Sequence, residues 1–139
     1  MNDTVSTSDI EKRTISDLTG RPKYKHHFCS LSAKGANLTS LDGVPEFIGG
    51  GLCVDDNLLT SLKGIHTQIT QMCGRFSAIG NPIESHVLGL LLIKGITTVL
   101  LDNWRVAEIL NRHLGKGRAG MLMAQEELIE AGFEKFAQL

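Results

Sequence analysis

A cysteine close behind two adjacent histidines carries most of this chain's chemical potential, since Cys29 stands two residues after His27 and three after His26. A thiol beside an imidazole is the start of a nucleophile–base pair, and hydrolase-type chemistry would follow if a third group oriented the base. The same residue types also bind metals. In an extended strand, however, successive side chains point to opposite faces. His26 and His27 therefore do not share an ion, and Cys29 can join only His27. Cys29, Cys53 and Cys73 are separated by 24 and 20 residues, far from the close pairs of a zinc site. Cys53 and Cys73 are expected to be small buried apolar residues. No catalytic residue, metal ligand or cofactor is assigned on these spacings, and an enzyme using Cys29 with His26 or His27 stands as an alternative.

Two stretches could instead meet an anion. Lys23 and Lys25 flank the only tyrosine, Tyr24, and Gly115-Lys116-Gly117-Arg118 precedes a helical pattern. Glycine-rich turns at helix N-termini bind phosphates through free N–H groups and the helix dipole. Yet no strand leads into the Gly115 run, and it lacks the Walker spacing that ends in Gly-Lys-Ser/Thr. The whole chain carries 14 basic and 15 acidic residues, a formal charge of −1, which leaves no basic footprint for nucleic acid. A nucleic-acid or nucleotide binder using Lys23, Lys25, Lys116 and Arg118 is a second alternative, with Lys116 and Arg118 as the candidate anion-binding pair.

These residues are positioned by a repeat. Leu38-Thr39-Ser40-Leu41-Asp42-Gly43-Val44 recurs 21 residues later as Leu59-Thr60-Ser61-Leu62-Lys63-Gly64-Ile65, and the ending returns as Ile93-Lys94-Gly95-Ile96. That period lies in the leucine-rich-repeat range. It aligns Leu31 with Leu52 and Ile48 with Ile69, and a degenerate third unit sets Phe76, Asn81 and Ile83 over Leu52, Asn57 and Leu59. The expected fold is α/β: a short leucine-rich-repeat-like β-solenoid of about three coils, with a helical N-terminal segment and a C-terminal helical cap. Leu38, Leu41, Leu59 and Leu62 should be buried. Gly43, Gly64 and Gly95 should turn corners, and the Asn57 and Asn81 amides should satisfy turn backbone.

The remaining segments complete a single domain over 1–139. Residues 1–8 read as a polar, flexible tail and 9–30 as an N-terminal cap, with a helix from Ser8 or Asp9 to Leu18. Residues 31–101 hold the repeat, and Val87–Leu101, rich in β-branched residues, reads as a buried strand. Residues 102–139 form the helical cap. Asp102 or Asn103 caps a helix whose face is Val106, Ile109, Leu110, His113 and Leu114. A second helix over about Ala119–Ala131 should bury Leu122, Leu128 and Ile129. No signal peptide or membrane span is legible, so a cytoplasmic, reducing setting is expected.

The run Asn37-Leu38-Thr39-Ser40-Leu41-Asp42-Gly43-Val44-Pro45, a Gly-Gly turn, then Cys53, Asn57 and Leu59-Thr60-Ser61-Leu62, resembles the short leucine-rich-repeat-like proteins of tailed bacteriophages. The ending Leu122-Met123-Ala124-Gln125-Glu126-Glu127-Leu128-Ile129-Glu130-Ala131-Gly132-Phe133 is similar to theirs. The resemblance implies an intracellular phage accessory protein with a binding surface and without catalytic residues. Its expected partner is a protein, with a host defence component as the class the resemblance implies, and a second copy of the chain is a further expected partner. The polar residues expected on the partner-binding surface are Lys25, His27, Asp55, Asp56, His66 and Arg75.

Overall fold

Leucines of the repeat meet one another from the inside of a parallel sheet. The computed structural model describes residues 15–19 and 21–139; the expected tail 1–8 and the expected start of the first helix lie outside the described residues. The described helix α1 spans Ile15–Thr19, followed by the short strands β1 (His26–His27), β2 (Leu31–Ser32), β3 (Phe47–Ile48) and β4 (Leu52–Cys53). A single helical turn α2 (Ile65–Gln68) precedes β5 (Gln71–Ser77). Then come a 3-10 helix over Leu88–Leu92, strand β6 (Lys94–Leu100), and helices α3 (Trp104–Arg112) and α4 (Gly117–Glu130).

The leucine-rich-repeat β-solenoid that the repeat predicts is not formed. The chain makes an α/β fold around one six-stranded parallel sheet, ordered β1-β3-β5-β4-β2 with β6 on β5, and the sheet does not curl round into coils. The physical reason lies in the third unit. There the strands lengthen to seven residues, and the chain after Ser85 becomes 3-10 helix where a further coil would need a corner. Val87–Ile93 is accordingly not strand, as its composition suggests; only Lys94–Leu100 is.

The pairing that the repeat implies is nevertheless present. Leu31 pairs with Leu52, Leu52 with Phe76, and Phe76 with Val99, all with inward side chains. Leu38, Leu41, Leu59 and Leu62 are buried beneath them, and each contributes on the order of 1.5–3 kcal/mol from removal of apolar surface from water. Gly43 and Gly64 hold φ of 87° and 71° at the corners, a left-handed conformation that glycine adopts without a Cβ penalty. The rows of strands approach closely where Gly51 meets Gly74: a Cβ on Gly51 would lie 2.8 Å from the Arg75 carbonyl oxygen.

Buried amides close the corners. The N–H groups of Ala36 and Leu38 donate to Asn57 Oδ1 at 2.9 and 3.0 Å, while Asn57 Nδ2 donates to the carbonyls of Ala33, Val54 and Asp55. Asn81 repeats the device, accepting from Leu59 N–H and donating to Val54 and Ala78. At the far edge α3 lies against β6. Asn103 caps α3 through Val106 N–H, as expected, and Val106, Ile109 and Leu110 face the core. In α4 the buried residues are Gly120, Met121, Ala124 and Leu128; Leu122 and Ile129, expected inside, are exposed. Among the described residues no helix is long and apolar enough to cross a membrane.

Candidate functional site

The sheet has an inner face, packed on the leucines, and an outer face. Alternation along the strands puts His26, Phe47, Gln71 and Lys94 outward in one row and Ser32, Cys53, Ser77 and Leu100 outward in another. Small side chains in the second row leave a shallow groove of about 390 Å³, whose lining includes Ser30, Ser32, Cys53, Asp55, Arg75 and Ile79. Leu100 also lines an adjoining groove of about 450 Å³, formed with Trp104, Ala107, Glu108, Asn111 and Arg112. The two together run from β2 across the sheet onto α3.

Within this face Asp55 is spoken for by its own chain: its carboxylate accepts from Ser77 Oγ at 2.6 Å and from Ile79 N–H at 2.8 Å. Asp102 likewise accepts from Gly80 N–H. Asp56, at φ 57°, stands 3.9 Å from Lys34. The Arg75 guanidinium is exposed and has no ion-pair partner among the described residues. At the β1 end an aromatic cluster forms, with His26 4.9 Å from the Phe47 ring and 5.9 Å from Phe28, which is 90% exposed.

The expected surface residues divide accordingly. Asp55 and Arg75 come together in the groove. Lys25 is exposed just before β1 and His27 is half-buried on it. His66 lies in α2, with a buried Nδ1 that has no hydrogen-bond partner among the described residues, and does not line either groove. Cys53 and Cys73 are not buried: Cys53 is half-exposed and Cys73 exposed, because both occupy outward positions on their strands. Residues that the sequence reading missed are Ser32, Ser77, Leu100 and Trp104. The signal available for them was the period-2 alternation beside Leu31, Leu52 and Phe76, and the placing of the only tryptophan at a helix start.

The thiol–imidazole pair is present in distance. Cys29 Sγ lies 3.5 Å from His27 Nε2, and His27 Nδ1 lies 2.7 Å from the Tyr24 hydroxyl. Nε2 also faces the Ser30 carbonyl at 3.3 Å. A carbonyl only accepts, so Nε2 carries the proton and Tyr24 O–H donates to Nδ1. In that tautomer the imidazole presents N–H to the sulfur and is not placed to take a thiol proton. Burial raises the Tyr24 hydroxyl above its ordinary value, and Arg21, whose guanidinium stacks 3.8 Å above the ring centroid, acts against it. Neither large groove is lined by Cys29 or His27.

Lys23, one of the four cations of the anion-binding alternative, turns its ammonium onto chain carbonyls, donating to Val44 and, at 3.2 Å, to Gln68. Partial burial holds it below the usual lysine value, with Glu46 acting in the opposite sense. Lys116 and Arg118 stand exposed at the start of α4, far along the chain from Lys23. Among the described residues no group of three or more His, Cys, Asp or Glu side chains is gathered as a metal site would require. Comparison with protein-family models, with curated proteins and with solved structures finds no match.

Proposed function

We propose that this chain is a non-enzymatic protein-binding module that receives its partner on the outer face of the sheet. The carrying observation is that the described residues leave one face of the parallel sheet bare. Parallel sheets are normally covered on both faces, yet His26 on β1, Gln71 and Arg75 on β5 and Lys94 on β6 stand exposed here. The two joined grooves, the exposed Phe28 and Trp104, and Arg75, without an ion-pair partner among the described residues, supply the mixture of aromatic and arginine anchors on which protein interfaces concentrate their energy. The resemblance to phage proteins supports a cytoplasmic setting and a host protein as the partner.

The test is capture from lysate of phage-infected cells by immobilised protein, run beside Arg75→Glu and Ser32→Arg. Both substitutions sit on exposed outward positions and should leave the fold intact. A partner held by the unaltered chain and released by either variant supports the reading. Capture indifferent to both variants, or no capture by demonstrably folded protein, overturns it.

A further inference from the structure

A helix on the surface of a small domain ordinarily keeps its large apolar side chains on the inward stripe. α4 does not. Met121, Ala124 and Leu128 are buried, while Leu122 (52% exposed), Met123 (44%) and Ile129 (48%) face solvent on the other side. Side chains four apart lie above one another along a helix, so Arg118, Leu122 and Glu126 form a single ridge: a cation, an apolar residue and an anion at equal spacing. All three are exposed, and neither charge has an ion-pair partner among the described residues. Gln125 beside them is tied to the Ala137 carbonyl at 3.1 Å.

That ridge is complementary to itself when run antiparallel. We infer that the outer face of α4 binds a second copy of this chain about a two-fold axis through Leu122, with Arg118 of each copy against Glu126 of the other. The same alignment sets Ile129 over the Gly115–Gly117 turn of the other copy, where nothing lies within 4 Å of the position a Cβ would take on Gly115 or Gly117. Ridges of residues four apart pack against one another in the commonest class of helix crossing. A parallel pairing would instead put Arg118 on Arg118 and Glu126 on Glu126, so the charges select the antiparallel, isologous contact. This surface is separate from the sheet face and does not rest on the function proposed for it.

Sedimentation of the full chain over a concentration series reads the result directly. The 15.1 kDa chain should pass from monomer to dimer as concentration rises, and Leu122→Asp should hold it monomeric. Arg118→Glu alone and Glu126→Arg alone should each weaken the dimer by about tenfold or more, since each sets like charges together twice. The double variant Arg118→Glu with Glu126→Arg restores opposite charges across the axis, so its dissociation constant should return to within a few-fold of the unaltered chain's. A chain that stays monomeric up to about 1 mM, or a dimer that the charge swap fails to restore, overturns the inference.

Discussion

Between Ala33 and Asn81 the chain satisfies its turning backbone with two buried side-chain amides, whereas from Asn103 onward it relies on helical hydrogen bonds and adds side-chain amides at three points. Those points are the Asn103 cap, Gln125, which donates to the Ala137 carbonyl, and Asn111, whose side chain accepts from Val99 N–H at 2.7 Å and donates to Val99 C=O at 3.0 Å, covering both backbone groups of Val99 on the β6 edge. Both regions seal the same apolar core. The first does so with corners that have no regular structure to share polar groups, so each amide there is irreplaceable; in the second a lost contact is buffered by the surrounding helix.

Truncating a core leucine in either region should expose what they have in common. Leu62→Ala and Leu110→Ala, 2% and 0% exposed, should each cost about 2–5 kcal/mol in denaturant unfolding. One cooperative transition in both variants, with unchanged slope, is the expected behaviour of a shared core. Two separate transitions would split the molecule into independent halves.

The amides should then separate the regions. Asn57→Ala strands two buried N–H groups and the carbonyls its amide served, and should cost about 3–4 kcal/mol; Asn81→Ala strands one N–H and should cost roughly 1 kcal/mol less. Asn111→Ala, at a half-covered edge that water can reach, should cost only about 1–2 kcal/mol. Equal losses at all three would mean that the corner amides are no more demanding than an edge cap.

Much of the corner region was legible in the sequence, and the reason is chemical. Leu31 over Leu52, the degenerate Phe76 unit, the burial of Leu38 and Leu59, and the roles of Asn57 and Asn81 all follow from residue types recurring in register. The register identifies which strands are neighbours but carries no information on curl, since parallel pairing of short strands gives the same spacing in a flat sheet as in a solenoid. The Val87–Ile93 run failed for another reason: a short aliphatic stretch suits a buried strand and a buried helical turn equally. In α4 the apolar residues occupy both sides, so periodicity pointed to Leu122 and Ile129 as readily as to Met121 and Ala124. The groove on the outer face was least legible, because Ser32, Cys53 and Ser77 make it by being small, and small polar residues form no motif. Of the six charged and histidine positions expected on a surface, Asp55 and Arg75 line this groove.

Acid should touch the helical region through one contact. Glu127 bridges the two helices, accepting from His113 Nε2 and pairing with Arg112. The hydrogen bond from His113 does most to hold its carboxyl below the ordinary value of 4.5, partial burial opposes this, and Arg112 adds to the lowering. A depressed carboxyl contributes stability that is complete above its unfolded value and fades as pH falls through the folded one. The side chain is 35% exposed, so solvent screening limits the contribution to less than about 1 kcal/mol. Stability measured from pH 6 down to 3 should fall less steeply in Glu127→Gln than in the unaltered chain; parallel curves would remove Glu127 from the acid response.

The smallest effect belongs to the charges at the corners themselves. Asp42 and Lys63 follow the buried Leu41 and Leu62, and both are exposed. What fixes their positions is backbone: Asp42 N–H donates to Ser40 Oγ, Lys63 N–H to Ser61 Oγ, and the Asp42 carbonyl accepts from Ile15 N–H at 3.0 Å. Their side chains make no ion pair among the described residues. Asp42→Ser and Lys63→Ser keep every one of those backbone bonds, so each should change stability by less than about 0.5 kcal/mol. A loss near that of Asn57→Ala at either position would show that the corners are held by charge as well as by amides, and would erase the distinction between a corner built from buried polar groups and one that merely carries polar residues at its surface.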